Sequence, residues 1–291
     1  MTKTKNILLS ALMLMVAVLL IACGNSNQSK DGKDALEQIK DNGVLNLGTS
    51  PDYPPLEFYI LDENGDRQIV GSDITLAKAI AEEIGVELKI TTTDFNGVLA
   101  NVQSGSVDLG LSGFTFTEER AEVMQFSEGY LQESELGFQG IMVTKETAAK
   151  YNNLDDLKAE NLVLGAQAGS IQYELANGLT EAANIKQYGT LDVGLSALNG
   201  GDIDGMVVST SSAEPMLATF SNLVILPQDS FDLDPERLYS TNSAAIPMGD
   251  HYDSLLELVN KVIIENKENG NIEKWHAEAI ELSRDAIEVE E

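Results

Sequence analysis

Short apolar strands alternate with amphipathic helices in the first third of this 291-residue chain. Strands are predicted at residues 44–47, 86–90 and 107–111. The helices between them follow Asp73 and Asp94, which are N-cap residue types, and end at Gly85 and Gly105. This β-α-β-α-β order predicts an α/β fold with a parallel sheet and right-handed crossovers.

The same alternation restarts further along the chain. It predicts strands at residues 141–143, 162–165, 203–208 and 223–226, and helices from residue 170 and over residues 190–198. A last strand at 244–247 and two apolar helices, at 252–266 and 272–280, have no sheet of their own. We therefore expect two α/β units, with the C-terminal helices packed back on the first.

The N-terminus has the form of an export signal. Lys3 and Lys5 precede an apolar run over residues 7–21, which is too short for the roughly 20 residues of a membrane span. Cys23 follows directly and is the one cysteine in the chain, so a disulfide within the chain is excluded. A buried free thiol is the alternative for Cys23, but its place next to the apolar run argues against it.

Leu20-Ile21-Ala22-Cys23 resembles a bacterial lipobox. The resemblance implies a signal peptide at residues 1–22 and acylation of Cys23, and two acyl chains are enough for stable membrane anchoring. The polar residues that follow predict a flexible tether over 23–37. We expect a lipid-anchored protein on the extracytoplasmic face of the cell membrane, at a Gram-positive cell surface.

The charge balance excludes several classes of function. The chain has 47 acidic and 18 basic residues and a net charge of -29, which repels nucleic acids. Neither His251 nor His276 belongs to a cluster with metal-ligand or catalytic spacing. We expect no nucleic-acid partner, no metal, no cofactor and no catalytic residues.

Four segments in fixed order carry a family resemblance. They span residues 48–58, 71–77, 94–127 and 165–172, with Gly71-Ser72-Asp73-Ile74 and the stretch from Gly113 to Arg120 as the most recognisable parts. Together they resemble the polar amino-acid-binding proteins of ABC importers, which are family 3 solute-binding proteins. The resemblance covers residues from about 38 to about 280.

This resemblance implies a fold and a partner. The fold would be α/β, a two-lobed periplasmic-binding-protein-like fold of type II, with two parallel-rich sheets joined by two hinge strands near 132–138 and 235–240. Lobe 1 would comprise residues 38–134 and 237–291, and lobe 2 residues 135–236. The ligand would bind in the cleft between the lobes, and a membrane-embedded ABC permease would receive it from a monomeric receptor.

The resemblance also assigns a carboxylate clamp. Arg120 matches the arginine that binds the ligand carboxylate, since a guanidinium fork gives two parallel charge-assisted bonds. Thr115 matches a second carboxylate contact, and the carbonyl of Gly113 matches an acceptor for the ligand ammonium. From lobe 2, Ser170 and Ile171 open a helix whose free N–H groups would also face the carboxylate. A surface arginine and an ordinary capped helix are the alternatives.

Tyr53 and Phe95 match aromatic positions that flank the ligand side chain, although aromatic residues at such sites also fill cores. Gln167 matches a variable specificity position. Ser50 stands where some binders of basic amino acids have an acid, which disfavours lysine and arginine. The sequence therefore predicts a neutral polar or aromatic amino acid.

Ser209 matches a further ligand-binding position, but it departs from the family pattern, which usually has an acid there for the ligand ammonium. Neutral acceptors or another acid, such as Glu57, Asp52 or Glu214, would have to replace it. The ligand could also lack a free ammonium. The alternatives to an amino-acid receptor are a binding protein for another carboxylate, a sensor, or a dehydratase-like enzyme on the same fold.

Overall fold

The computed structural model describes residues 33–132 and 137–286. The predicted signal peptide and Cys23 lie outside the described residues. Helix α1 (Ala35–Asn42) begins after Asp34, whose carboxylate accepts from the Glu37 amide and from the Ser254 hydroxyl. The tether predicted through residue 37 is therefore too long, because its last residues form the first turn of α1.

The first half of the chain builds one five-stranded sheet and a small antiparallel sheet. Its further elements are β1 (Val44–Thr49), β2 (Asp52–Tyr53), β3 (Glu57–Leu61), β4 (Arg67–Val70), α2 (Ser72–Ile84), β5 (Glu87–Thr92), α3 (Phe95–Ser104), β6 (Leu109–Gly110), α4 (Glu118–Ala121) and β7 (Met124–Gln132).

The second half builds another five-stranded sheet and then returns to the first. Its elements are β8 (Gln139–Thr144), α5 (Lys145–Ala148), α6 (Leu154–Ala159), β9 (Leu164–Gln167), α7 (Ile171–Asn177), β10 (Ile185–Tyr188), α8 (Leu191–Gly200), β11 (Gly205–Ser209), α9 (Thr210–Ala213), β12 (Leu223–Ile225), α10 (Gln228–Phe231), β13 (Thr241–Pro247), α11 (Asp253–Glu268) and α12 (Asn271–Leu282), with short 3-10 turns at 182–184, 215–218, 250–252 and 283–285.

The two large sheets have the same arrangement. The first has the order β5-β1-β6-β13-β7 and the second the order β10-β9-β11-β8-β12. In each sheet the first three strands are parallel and the last two pairings are antiparallel. We call the elements on the first sheet lobe 1 and those on the second sheet lobe 2. This confirms the two-sheet α/β fold.

Helices cover both faces of each sheet, which is typical of parallel-containing sheets. Ile74, Ile80 and Leu47 belong to a lobe 1 core that also contains Leu255 and Val259 of α11. The prediction that the C-terminal helices pack on the first unit is confirmed. The chain passes from lobe 1 to lobe 2 after residue 132 and returns to lobe 1 before residue 241. Gln132 donates a hydrogen bond to Ser240 at this junction. The domain limits at 135 and 236 stay a proposal, and the first hinge lies partly outside the described residues.

Two local predictions are wrong. Asp73 does not cap α2, since Gly71 is the N-cap and makes no side-chain bond; Asp73 is fully buried instead. The strand predicted at 107–111 pairs over Leu109–Gly110 alone. By contrast, Asp94 caps α3 as predicted, accepting from the Gly97 amide at 2.7 Å.

Within the described ranges, no helix is both long and apolar enough to cross a membrane.

Candidate functional site

A narrow cavity of about 20 Å³ lies between the two lobes. Eight of the nine binding residues predicted from the sequence line it, and Ser209 does not. The lining residues on the lobe 1 side are Ser50, Asp52, Tyr53, Glu57, Phe95, Ser112, Gly113, Thr115 and Arg120, and those on the lobe 2 side are Gln139, Gln167, Ser170, Ile171 and Gln172.

Arg120 is held at the cavity by carbonyl groups of both lobes. Its Nη1 donates to the Thr115 carbonyl at 2.8 Å and its Nη2 to the Gly169 carbonyl at 3.0 Å. Burial lowers the pKa of Arg120 to about 10, so the side chain is charged at neutral pH. No carboxylate among the described residues forms an ion pair with it. The guanidinium therefore lines the cavity and makes no direct ion pair with an acidic side chain of the described residues.

The loop that carries Gly113 and Thr115 is held in place by the buried carboxylate of Asp73. The Gly113 amide donates to Asp73 Oδ2 at 3.1 Å, and Tyr130 donates its hydroxyl to the same carboxylate. Gly113 has a φ of +60°, and a Cβ there would approach Leu56 within 3.1 Å. A glycine is required because the backbone is left-handed and the space is filled.

The two predicted aromatic residues occupy different surroundings. Phe95 is 7% exposed, packs 5.2 Å from the Phe114 ring and lies under the Arg120 guanidinium at 5.5 Å. It is thus both a core residue and a wall of the cavity. Tyr53 is half-buried on β2 and also packs against the core of lobe 2.

Ser170 and Ile171 line the cavity at the start of α7, as predicted. The Ser170 hydroxyl is already engaged, since it donates to the Gln167 carbonyl at 2.7 Å and accepts from the Tyr173 amide. The helix itself has seven residues. Its dipole is correspondingly small, so any contribution to anion binding would come from local N–H groups.

Asp52 connects the two lobes. Its Oδ2 accepts from Gln167 Nε2 at 2.9 Å and from the Leu191 amide at 2.7 Å, and its Oδ1 accepts from the Ser50 hydroxyl. Burial raises the pKa of Asp52 to about 6, and these hydrogen bonds oppose the shift. Asp52 is therefore predominantly ionised at pH 7.

Glu57 and Asp73 form a second acidic group behind the cavity. Both are fully buried, and Glu57 Oε1 accepts from the Ser112 hydroxyl at 2.9 Å. Glu57 Oε2 has no hydrogen-bond partner among the described residues. Burial, and after it the nearby Asp73 charge, raise the pKa of Glu57 well above its usual range.

The lobe 2 wall is neutral. Gln172 Nε2 donates to Gln139 Oε1 at 2.9 Å, and both side chains are buried. Ser209 pairs with Gln139 across the strands but directs its hydroxyl to Ser211. Of the acids proposed to replace an acid at Ser209, Glu57 and Asp52 line the cavity and Glu214 does not.

The site lacks the groups of a metal centre. Within the described part of the chain, no three His, Cys, Asp or Glu side chains converge as metal ligands. Sequence reasoning did not assign Gln139, Gln172 and Ser112 to the site. For Gln139 and Gln172 the available signal was a polar side chain in a strand and a helix that are otherwise largely apolar, and Ser112 lies in the bend after β6.

A model of the bacterial extracellular solute-binding proteins, family 3, matches residues 45–280. The arginine-binding extracellular protein ArtP of Bacillus subtilis is 30% identical over 258 residues, which is 88% of this chain and 90% of ArtP. The L-cystine-binding protein TcyJ of Escherichia coli is 25% identical over 269 residues, covering 91% of this chain and 94% of TcyJ.

Solved structures show the same likeness. The amino acid ABC transporter substrate-binding protein AbpA of Streptococcus pneumoniae, bound to L-arginine, is 32% identical with a TM-score of 0.74, covering 85% of this chain and 98% of AbpA. An ancestral amino-acid-binding protein described as a precursor of cyclohexadienyl dehydratase is 28% identical with a TM-score of 0.70, covering 84% and 99%.

Proposed function

Because the chain belongs to the bacterial extracellular solute-binding proteins of family 3, we propose that it binds a cationic α-amino acid between its lobes and delivers it to a membrane-embedded ABC permease. The family consists of extracytoplasmic transport proteins and not of enzymes. Relatives and neighbours described as amino-acid-binding proteins of ABC transporters support the ligand and the partner.

The observation that carries the proposal is the state of Arg120. Its guanidinium is held by one carbonyl from each lobe and has no carboxylate partner among the described residues. An amino-acid carboxylate would supply the missing anion through a bidentate pair. Because Arg120 is bonded to a carbonyl group of each lobe, an ion pair between Arg120 and the ligand carboxylate would also stabilise the closed cleft.

The acids favour a cationic side chain. At neutral pH Asp52 and Asp73, whose pKa values are raised to about 6, are largely ionised and Arg120 is charged, which leaves a net charge of about -1 at the site. A zwitterion adds no net charge, whereas a ligand with one extra positive charge neutralises the site. Isolated buried charge is costly, so neutralisation favours binding.

This proposal differs from the neutral polar or aromatic side chain predicted from Ser50. Ser50 itself carries no charge, but its hydroxyl orients Asp52 two residues later. Asp52 therefore supplies an acidic side chain close to the position that Ser50 occupies. L-arginine in the AbpA structure, and the arginine named for ArtP, support this direction. A neutral polar amino acid is the second candidate, favoured by the three glutamines that line lobe 2.

A thermal-shift screen of the L-amino acids tests the ligand class. A ligand at 100 times its dissociation constant adds about 2.7 kcal/mol to the free energy of unfolding. We expect arginine, lysine or ornithine to raise the melting temperature most, and glutamate and aspartate to leave it unchanged. A screen in which no amino acid raises the melting temperature would contradict the proposal.

We further propose that Cys23 carries the lipid anchor that keeps the protein at the outer face of the membrane. The support is the order of features at the N-terminus, where a basic start is followed by an apolar run and then by Leu20-Ile21-Ala22-Cys23. Cys23→Ser should abolish incorporation of labelled fatty acid, while the Ser26→Ala variant, three residues after Cys23, should be labelled normally. Labelling of the cysteine-free variant would contradict the anchor. A monomer in solution remains our expectation, which sedimentation can test.

A further inference from the structure

A second cavity lies on the far side of Asp52. It measures about 70 Å³, against about 20 Å³ for the binding cavity. Its walls come from both lobes and are largely apolar, with Pro54 and Phe58 on one side and Met216 and Phe220 on the other. Among the residues that the structure describes, Asp52 is the one that lines both cavities.

The Asp52 side chain is fixed in this place. Ser50 holds one carboxylate oxygen from lobe 1, while Gln167 and the Leu191 amide hold the other from lobe 2. Three donors leave the carboxylate little rotational freedom, and it is 5% exposed. The side chain therefore forms a rigid partition between the two cavities.

The partition is complete when the lobes are closed. Helix α8 (Leu191–Gly200) has no side-chain N-cap of its own, since Thr190 makes no such bond. The first amide of α8 is satisfied instead by Asp52 from the opposite lobe. Closure of the lobes therefore places the Asp52 carboxylate at the N-terminus of α8, where a negative charge is favoured.

We infer that Asp52 is a specificity-determining residue that limits the length of the ligand side chain. This inference rests on the proposed binding of a cationic amino acid. With its carboxylate on Arg120, the ligand would extend its side chain towards Asp52. Asp52 and Arg120 line the same cavity and share no hydrogen-bond partner, since Arg120 donates to the Thr115 and Gly169 carbonyls whereas Asp52 accepts from Ser50, Gln167 and Leu191.

The second cavity could receive a longer side chain if the partition were removed. Its apolar walls suit methylene groups. Asp192, which also lines it, is 6% exposed, and its Oδ1 has no hydrogen-bond partner among the described residues. An extension with a donor at its end would therefore find both apolar contacts and an acceptor.

Calorimetry with L-arginine, L-homoarginine and Nω-propyl-L-arginine tests the inference. One methylene changes binding in a closed pocket by about 10- to 200-fold, so wild type should discriminate strongly against the two longer probes. Asp52→Ala removes the partition and should reduce the arginine-to-homoarginine affinity ratio at least about tenfold. Asp52→Asn keeps the shape of the side chain and should keep the ratio within about threefold of wild type.

The ratio separates this role from general damage, because a misshapen or weakened cleft would lower all three affinities together. If Asp52→Ala does not fold, Asp52→Ser provides the same test, since a hydroxyl can still accept from the Leu191 amide. An unchanged ratio in a folded Ala or Ser variant would overturn the inference while leaving the proposed function intact. Failure of wild type to bind L-arginine would overturn the proposed ligand, and this inference with it.

Discussion

The two lobes share a sheet topology, but their walls at the cleft differ in charge. Lobe 1 brings Arg120, Asp52 and Glu57 to the cavity, whereas lobe 2 brings three glutamines and Ser170. The strands behind both walls follow the same order of parallel and antiparallel neighbours. One architecture therefore supports two kinds of binding surface, and the difference comes from side chains at strand ends and loops.

The difference has a structural origin in the small β2-β3-β4 sheet. Lobe 1 contains this insertion between β1 and α2, and both Asp52 and Glu57 lie on it. Lobe 2 has no such sheet among its described residues, and its wall is formed by β8, β9 and the start of α7. We interpret lobe 1 as the selective surface and lobe 2 as the surface that closes over the ligand.

Removing Arg120, the one cation among the described residues that line the cavity, should have the largest effect. Truncating one partner of a buried charge pair costs on the order of 2–5 kcal/mol. Arg120→Ala should therefore weaken amino-acid binding by roughly 30- to 5,000-fold, since about 1.4 kcal/mol is tenfold. Arg120→Lys should also weaken it, because a point charge cannot form the bidentate fork. Calorimetry measures both.

Arg67→Ala is the matched control for this comparison. Arg67 is exposed and stacks on Tyr59, away from the cavity, so its removal should leave affinity unchanged. If Arg120→Ala is folded and binds within about threefold of wild type, well below the loss expected for a buried charge pair, the ligand carboxylate is not bound there.

Neutralising an acid of lobe 1 should change selectivity rather than affinity in general. Hydrogen bonds to charged groups contribute about 1.5–3 kcal/mol, so Asp52→Asn should weaken L-arginine binding by roughly tenfold or more. L-citrulline has the same shape without the positive charge, and its affinity should change much less. Equal losses for both ligands in calorimetry would show that Asp52 supports the fold of the wall and not its charge preference.

The buried acids also predict a pH dependence of stability. Burial raises the pKa of Asp52 and of Asp73 to about 6, so folded protein retains protons that the unfolded chain has lost. Between about pH 4 and 6 the free energy of unfolding therefore falls as pH rises. One pKa unit corresponds to about 1.4 kcal/mol, so unliganded protein should be more stable at pH 5 than at pH 7 by at least about 1 kcal/mol.

Urea unfolding of wild type and Asp52→Asn at both pH values measures this effect. The variant should show a shallower pH dependence, because it lacks one of the raised carboxyl groups while sharing all other charges. Parallel curves for the two proteins would show that Asp52 does not contribute to the pH dependence.

The smallest effect is expected in lobe 2. Gln172→Ala removes one neutral hydrogen bond to Gln139, and such bonds contribute about 0.5–1.5 kcal/mol. Binding of L-arginine and L-citrulline should weaken about equally, by roughly two- to tenfold. A loss confined to arginine would mean that lobe 2 also senses charge, which would remove the contrast between the walls.

The sequence predicted the parts of the fold that depend on local pattern. Helical spacing and the glycine stops placed α2 and α3, because Gly85 and Gly105 adopt left-handed conformations after each helix. The motif around Arg120 placed the binding loop beside the cavity. The sequence did not predict the β2-β3-β4 sheet, since β2 is a two-residue strand whose hydrogen bonds come from tertiary pairing.

The acidic contacts were harder to predict. The local pattern predicts Asp73 as an N-cap residue, whereas the structure places it in the first turn of α2 in contact with Tyr130, 57 positions away. The bond from Gln167 to Asp52 spans 115 positions. Such pairs depend on how the two lobes meet, which no local pattern encodes. Ser209 does not line the cavity, and its hydroxyl shares a hydrogen bond with Ser211 two residues later.

The central claim is that the acidic wall of lobe 1 selects a cationic ligand, while the wall of lobe 2 is neutral. Calorimetry of wild type with L-arginine and L-citrulline at pH 7.5 tests it most directly, because the two ligands differ by one charge at nearly the same shape. The account predicts that arginine binds at least about tenfold more tightly, a difference of about 1.4 kcal/mol. Equal binding of the two ligands, or tighter binding of citrulline, would contradict it.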